Sequence, residues 1–303
     1  MDFTEIIQNN RPHISASSVK TYNSILRNLS KRLGDVDAQY FETNPAKIVD
    51  SLGGMDAKKR KTIYSALVVL CEKEGSKACK VYRDAMMDDA DVSREATKKQ
   101  QMTEKDKERW MSLTDIHKKV EQLSAEAKPL MSKDVITMSE MQRIQNYIIA
   151  AVMFGMFIPP RRLMDWTEMT RKVDKENKTN YIQGKNFVFN AFKTAKIYGQ
   201  QKVEMPTKLH NIIKRWLALT NDISEWFFFD NNGNKLSVSQ LGSRVEKILG
   251  DGRGINLIRH VYITDKVLAN APLLQELEQT AADMGHSLME QQLYRKVEKS
   301  KAK

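Results

Sequence analysis

Cysteine is almost missing from this 303-residue chain: there are two, Cys71 and Cys79, and their separation fits no metal-site spacing. They read as two reduced thiols of an intracellular protein, which excludes a disulfide scaffold. No apolar run reaches the roughly 18–20 residues that a membrane span needs. The most apolar stretch, Tyr147 to Pro160, is shorter and closes in Pro159-Pro160-Arg161-Arg162. Met1-Asp2-Phe3-Thr4-Glu5 lacks the basic start and apolar h-region of a secretory signal. There is no Walker-type phosphate loop, no acidic metal cluster, no internal repeat and no low-complexity tract. The expectation is an intracellular protein, and the missing Walker loop and acidic cluster agree with a chemistry that needs no metal or nucleotide cofactor.

What the chain has in excess is positive charge. Lys and Arg number 49 against 38 Asp and Glu, a net charge of +11, with a pI near 9.4. That balance favours a polyanionic partner, nucleic acid before an acidic membrane. Acidic and basic residues are interspersed without long single-sign blocks, and the length allows two domains with cores of their own.

Apolar spacing predicts a helical first domain over residues 1–95. Ser17 or Ser18 caps a helix carrying Val19, Tyr22, Ile25, Leu26, Leu29 and Leu33, and Gly34 stops it. Further helices are expected over Pro45 to Leu52, from Asp56 with Ile63, Leu67, Leu70 and Cys71 on one side, and over Ser76 to Met87. The polar stretch Asp91 to Glu108 reads as a linker, assigned to residues 96–108. A second domain, residues 109–303, should hold helices from Leu113 or Thr114 to Leu123, from Ser139 to Phe157, and from about Arg161 after the two prolines. Strands are expected at Asn186 to Phe192 and Gln201 to Met205, with Trp226–Phe229 as a further extended piece. Helices follow over Leu209–Leu219, Val238–Leu249, Ile255–Leu268, Leu273–Met284 and Leu288–Lys296. The fold class is thus mainly α with one small antiparallel β-sheet.

A set of residue types in this second domain suits phosphodiester displacement. Such a reaction needs a nucleophile, neutralisation of the non-bridging oxygens and a proton for the leaving oxygen. Arg162 and Arg259, both near predicted helix starts, offer planar, permanently charged forks for two oxygens. A lysine amid arginines suits the acid role, because like charge disfavours its protonated form; Lys193 lies at a predicted turn between strands. His286 can donate to a phosphate oxygen. A tyrosine is a weak nucleophile at its ordinary pKa of about 10, yet two guanidinium groups would stabilise the phenolate of Tyr294. Each residue alone is unremarkable; only the ordered set, each member on the right element, is specific.

That order resembles the tyrosine recombinase (phage integrase) family. Arg162 and Asp165 match its first box, Lys193-Thr194 its hairpin lysine (Lys196 being the substitute), and Ile258-Arg259-His260 with Thr264 its second box. Met284-Gly285-His286-Ser287 matches its Leu-Gly-His-Ser, and Tyr294 its nucleophile. The match runs from Trp110 to Val297; over residues 10 to 90 it is by pattern only, through Ser18-Val19-Lys20-Thr21-Tyr22. The resemblance implies a helical core-binding domain followed by a catalytic domain. It further implies site-specific cutting and rejoining of double-stranded DNA through a 3′-phosphotyrosyl bond, by a homo-oligomer, a tetramer on paired sites, with Asp165 in a supporting role. Type IB topoisomerases and telomere resolvases share this chemistry, and a DNA-binding protein that keeps only the fold is the non-catalytic alternative.

Three departures mark a divergent branch, viral or from a mobile element. Asn256 stands where the family has His or Lys three residues before the second arginine; it can donate a hydrogen bond but cannot shuttle a proton. Tyr294 follows His286 by one residue fewer than usual, a rotation of about 100° on a continuous helix, so Ser287–Glu290 should lead from loop into helix. Phe157-Ile158-Pro159-Pro160 replaces the usual Thr-Gly turn. In the first domain, Lys58, Lys59, Arg60 and Lys61 open a helix and could grip phosphates. Lys20, Arg27, Lys31 and Arg32 give the first long helix a basic side.

Overall fold

Small polar residues set most of the helix starts. The computed structural model describes residues 1–285 and 287–289. The chain divides into two compact units, Met1–Gln101 joined by the segment from Pro272, and Met102–Ala271. Among the described residues no helix is long and apolar enough to cross a membrane.

The first unit contains α1 (Thr4–Asn10), α2 (Ala16–Arg32), α3 (Ala38–Thr43), α4 (Pro45–Leu52), α5 (Ala57–Leu70) and α6 (Lys77–Lys98). Helix α2 begins slightly before the expected cap, because the side chain of Ser15 accepts the Ser18 N–H and satisfies one of the unpaired first-turn donors. Its Val19, Leu26 and Leu29 bury against a core that includes Leu67, Leu70, Phe41 and Tyr82. Tyr82 donates its hydroxyl to the Phe41 carbonyl at 2.7 Å, so the phenol is buried with its polar tip satisfied. Both cysteines are buried and unpaired, and burial pushes the Cys71 thiol up to about 12. Helix α6 continues well past the expected end at Met87. Nothing between Ser76 and Lys98 breaks a helix, and its buried Asp89 is held by Arg60 of α5; an ion pair replaces the apolar face that the sequence stops showing.

The second unit contains α7 (Glu104–Arg109), α8 (Leu113–Leu130), α9 (Met138–Met153), α10 (Leu163–Thr167), β1 (Met169–Thr170), β2 (Asn180–Gln183), β3 (Asn186–Phe189), α11 (Ala195–Tyr198), β4 (Gln201–Glu204), α12 (Thr207–Leu219), α13 (Val238–Leu249) and α14 (Ile255–Tyr262). Helix α8 outruns its expected end at Leu123, because Ala127 and Leu130 extend the buried seam of Ile116 and Val120. Helix α9 stops before the expected Phe157, since Gly155 turns the chain with φ 76°, a conformation natural to glycine. A Cβ there would lie 2.6 Å from Cδ2 of Tyr262, so the glycine also admits that ring. The helix expected over Ile255–Leu268 changes character after Tyr262 into a π-helical turn, Ile263–Val267.

The sheet has the order β1-β2-β3-β4. Its β2–β3 and β3–β4 pairs are antiparallel, while the two-residue β1 adds to β2 in parallel. The small sheet is therefore mixed rather than wholly antiparallel. Trp226 and Phe229 make isolated bridges to Thr170 and Lys235. Strand β3 ends at Phe189 rather than Phe192, because the next two N–H groups are taken by the side chain of Asn180. Trp166 of α10 meets Phe187 edge-on at 5.0 Å and Phe189 at 5.5 Å, and such pairs add about 0.5–1.5 kcal/mol beyond burial. Trp216 stacks on Phe229 at 5.6 Å, and Gln145 exchanges two hydrogen bonds of 2.9 Å with the Phe229 backbone. This aromatic core fixes α10 on the sheet.

Helix α15 (Leu274–Asp283) groups with the first unit rather than with residues 109–271. Its Glu278 lies 3.5 Å from Lys98, and the Leu274 N–H donates to Gln100 at 2.8 Å. Of the expected linker 96–108, residues 96–98 end α6 and 104–108 lie in the short α7, with 99–103 between them outside any helix.

The capping box of α9 supplies a pH prediction. Glu140 accepts the Thr137 N–H at 3.0 Å and pairs with Lys133 at 2.5 Å. The Lys133 hydrogen bond, followed by those from Thr137, holds its carboxyl down at about 2. A carboxylate whose folded pKa is depressed stabilises above its unfolded value, about 4.3, and loses that contribution as pH falls toward 2. Glu140→Gln keeps the box hydrogen bond, so wild type should exceed the variant in stability at pH 7 and match it near pH 2. Urea unfolding at both pH values measures this; a gap independent of pH contradicts it.

Candidate functional site

The two prolines deliver the chain in extended form to Arg162, which caps α10 with φ −70° and ψ 155° and no side-chain cap bond. The burial of Trp166 then sets the azimuth of the short helix and places Asp165 inward, at 2% exposure. The partner of Asp165 is Arg161, not Arg162: Arg161 Nε donates to Oδ2 at 2.9 Å. Arg161 also donates to Gln201 on β4 at 2.9 Å, and its guanidinium carbon lies 4.0 Å from the Phe189 ring centre and 5.3 Å from that of Phe192.

Arg259 comes from α14, where Ile255, Ile258 and Val261 bury one face. Asn256 and Arg259, three apart, share another face, Asn256 exposed and Arg259 half-buried. Burial pushes the Asp165 carboxyl up, opposed by the charges of Arg161, Arg162 and Arg259. Burial likewise pulls the Arg161 guanidinium down, with Arg162 and Arg259 acting in the same direction. Two candidate arginines far apart in sequence therefore act on one buried ion pair. The charges of three guanidinium groups act on one carboxylate there, and only Arg161 is hydrogen-bonded to it. Guanidinium groups as a class pair well with phosphate oxygens.

Lys193 follows the buried Phe192 in the turn before α11 and is exposed. It stands on a turn leading into a short helix, not on a plain hairpin, and Lys196 is exposed on that helix. Thr264 falls in the π-helical turn. His286 and Tyr294 lie outside the described residues. Just before them, α15 ends at Asp283 and Gly285 adopts φ 75°. Among the described residues no three His, Cys, Asp or Glu side chains come together as metal ligands would.

Two residues that join these elements carry little sequence signal. Arg161 was visible as half of an arginine doublet, but nothing in the sequence says which arginine turns inward. Asn180 gave no signal, although it is fully buried and bonds to both α10 and the Lys193 loop.

The candidate DNA-contacting residues of the first unit lie in two places. Lys20, Arg27 and Lys31 are exposed and, at i, i+7 and i+11, share one face of α2. Tyr22 points about 160° away from Lys20 and lines a groove with Lys58, Lys61, Thr62, Ser65 and Arg94. Lys59 is exposed. Arg60 differs from its neighbours in being engaged within the unit: it binds Asp89 through Nε at 3.0 Å and Nη2 at 2.5 Å, and the Gly53 and Met55 carbonyls through Nη1. Its fork is occupied inside the unit because Asp89 is buried and needs a partner. Arg32 likewise reaches the Ser51 carbonyl at 3.4 Å.

No protein-family model and no curated protein matches this sequence. Solved structures similar to the chain include the XerA recombinase, at 14% identity and a TM-score of 0.36, covering 98% of this chain and 93% of that one. Another is the XerH site-specific recombinase bound to difH substrate in a pre-cleavage complex, at 14% identity and a TM-score of 0.38, covering 98% of this chain and 91% of that one.

Proposed function

We propose that this chain cuts and rejoins double-stranded DNA as a tyrosine-type site-specific recombinase or integrase. What supports the reading is that the charges of Arg162 and Arg259, far apart in sequence, both act on the hydrogen-bonded Arg161–Asp165 pair. In the reaction, the phenolate of Tyr294 attacks the scissile phosphorus and Arg162 and Arg259 neutralise the non-bridging oxygens. Lys193 protonates the leaving 5′-oxygen, and His286 donates a further hydrogen bond. Asn256 adds a donor beside Arg259. A 5′-hydroxyl from a partner strand then attacks the 3′-phosphotyrosyl bond and releases the tyrosine, so no external energy source enters. Removing one donor from such a cradle costs about 10²–10³ in rate. Action on paired sites calls for an oligomer, a tetramer in this reading.

Nicked suicide duplexes tiled across the DNA that flanks the chain's own coding sequence test the proposal. A covalent protein–DNA adduct that maps by peptide mass to Tyr294 is the expected result. Salt-dependent binding without any adduct would instead indicate a DNA-binding protein with the fold alone.

DNA binding by the first unit has its own check. Lys58→Ala and Lys61→Ala should each weaken duplex binding and lower the slope of log K against log salt by about 0.9, one phosphate apiece. Arg60→Ala should leave that slope unchanged and lower the melting temperature, because it strands Asp89. An equal slope change in all three would return Arg60 to the DNA surface.

A further inference from the structure

We infer that Asn180 and Arg161 are positioning residues that hold the Lys193 loop against α10, an inference that rests on the cleavage reading above. Asn180 opens β2 at 0% exposure. Its amide donates to the Asp165 carbonyl at 2.6 Å and to the Ala191 carbonyl at 2.9 Å. Its oxygen accepts the N–H groups of Asn190 and Ala191, both at 2.7 Å. All four hydrogen-bonding positions of the side chain are filled. One buried residue thereby ties the turn of α10 that follows Arg162 to backbone two residues before Lys193.

Arg161 makes the second tie. It grips Asp165 at one end and Gln201, where the loop re-enters the sheet, at the other. Its flat face lies against Phe192, the residue before Lys193. Both ends of the loop are thus anchored to the helix that carries Arg162. Lys193 itself is exposed on that loop, so the anchors at the base set its reach toward the Arg162 side of the site. Displacing a catalytic group by about 1 Å can cost roughly 10²-fold in rate.

The chemical step makes the inference testable. The phenolate oxygen bonds to phosphorus, the P–O5′ bond breaks with its electron pair passing to O5′, and the lysine ammonium gives that oxygen a proton. With sulfur at the bridging 5′ position a thiolate departs without needing the proton. Placement of the lysine then no longer governs the rate, whereas the demands on the arginines remain.

The test uses the full chain and suicide duplexes with oxygen or sulfur at that position, comparing Asn180→Ser and Arg161→Lys with Lys193→Ala and Arg259→Lys. On oxygen, Asn180→Ser and Arg161→Lys should form adduct roughly 10–100-fold more slowly than wild type, part of the roughly 10²–10⁴-fold that a general acid supplies. On sulfur they should come within about threefold of wild type, as Lys193→Ala should, while Arg259→Lys stays slow on both. Equal slowing on the two substrates overturns the inference and leaves the cleavage reading intact. So does failure of sulfur to rescue Lys193→Ala, which places the acid elsewhere. If Asn180→Ser does not fold, Arg161→Lys decides, since it keeps the charge beside Asp165. Absence of adduct from wild type on either substrate removes the cleavage reading, and this inference with it.

Discussion

Tyr294→Phe should bind duplex DNA with wild-type affinity yet form no adduct on a suicide substrate. The substitution removes one oxygen and leaves Arg162, Arg259 and the lysine-bearing surfaces in place. Loss of the proposed nucleophile differs in kind from loss of a proposed cradle donor: Arg259→Lys should slow cleavage by about 10²–10³, whereas the phenylalanine variant would have nothing to attack with. Gel-shift titration gives the affinity, and denaturing electrophoresis of the suicide reaction gives the adduct. An adduct that persists would move the nucleophile to Tyr262. That ring is half-buried against Gly155, close enough that a Cβ there would lie 2.6 Å from it, and Lys266 Nζ lies 5.0 Å from its centre. For Tyr262 to attack, it would have to leave this packing at the junction of α14 with the π-helical turn.

Asp165→Ala should destabilise the second unit by about 3–5 kcal/mol, the range found when one partner of a buried ion pair is removed. The carboxylate is 3% exposed at its side chain and Arg161 is 17% exposed, so alanine strands a guanidinium that water reaches poorly. Arg162 and Arg259 aggravate this, because their charges disfavour the ionised form of Arg161 and no anion remains among them. Replacing both partners by apolar residues, Arg161→Met with Asp165→Leu, should recover most of the loss, as buried pairs often tolerate such exchange. The double variant should nonetheless cleave poorly, since it lacks the tie from Arg161 to Gln201. Calorimetry on the single and double variants measures the first claim. A loss below about 1 kcal/mol for Asp165→Ala would place the pair in solvent.

Asn256 bears on the proposed reaction through what an amide cannot do. On α14 it is exposed beside Arg259, where it can orient a phosphate oxygen but cannot carry a proton. Proton delivery therefore falls on Lys193 in the proposed reaction, which raises the cost of any slack in its loop.

Much of this architecture was legible because periodicity is a local property. The spacing of Val19, Leu26 and Leu29, or of Phe187 and Phe189, reports which side of an element meets a core, whatever that core is. The mainly helical character with a small sheet followed from such spacings, as did the positions of α2, α4, α5, α12 and α13. Boundaries were less legible where a tertiary partner overrode the local signal. Helix α6 runs on because Arg60 reaches Asp89, and β3 stops early because Asn180 captures the next two N–H groups. The parallel β1 has two residues and no pattern of its own.

The candidate arginines were chosen by residue type and order, which the sequence alone displays. It also determined the positive charge of the chain, the lack of a span-length apolar run, and the presence of each group that phosphate chemistry requires. Only the tertiary structure decided that Arg161 turns inward to Asp165 and that Arg162 and Arg259 act on the same pair. It also paired Arg60 with the buried Asp89 and made Asn180 a joint. The reason is physical: whether a charge is paired or free depends on which distant residue shares its desolvated space, and adjacency along the chain carries no record of that.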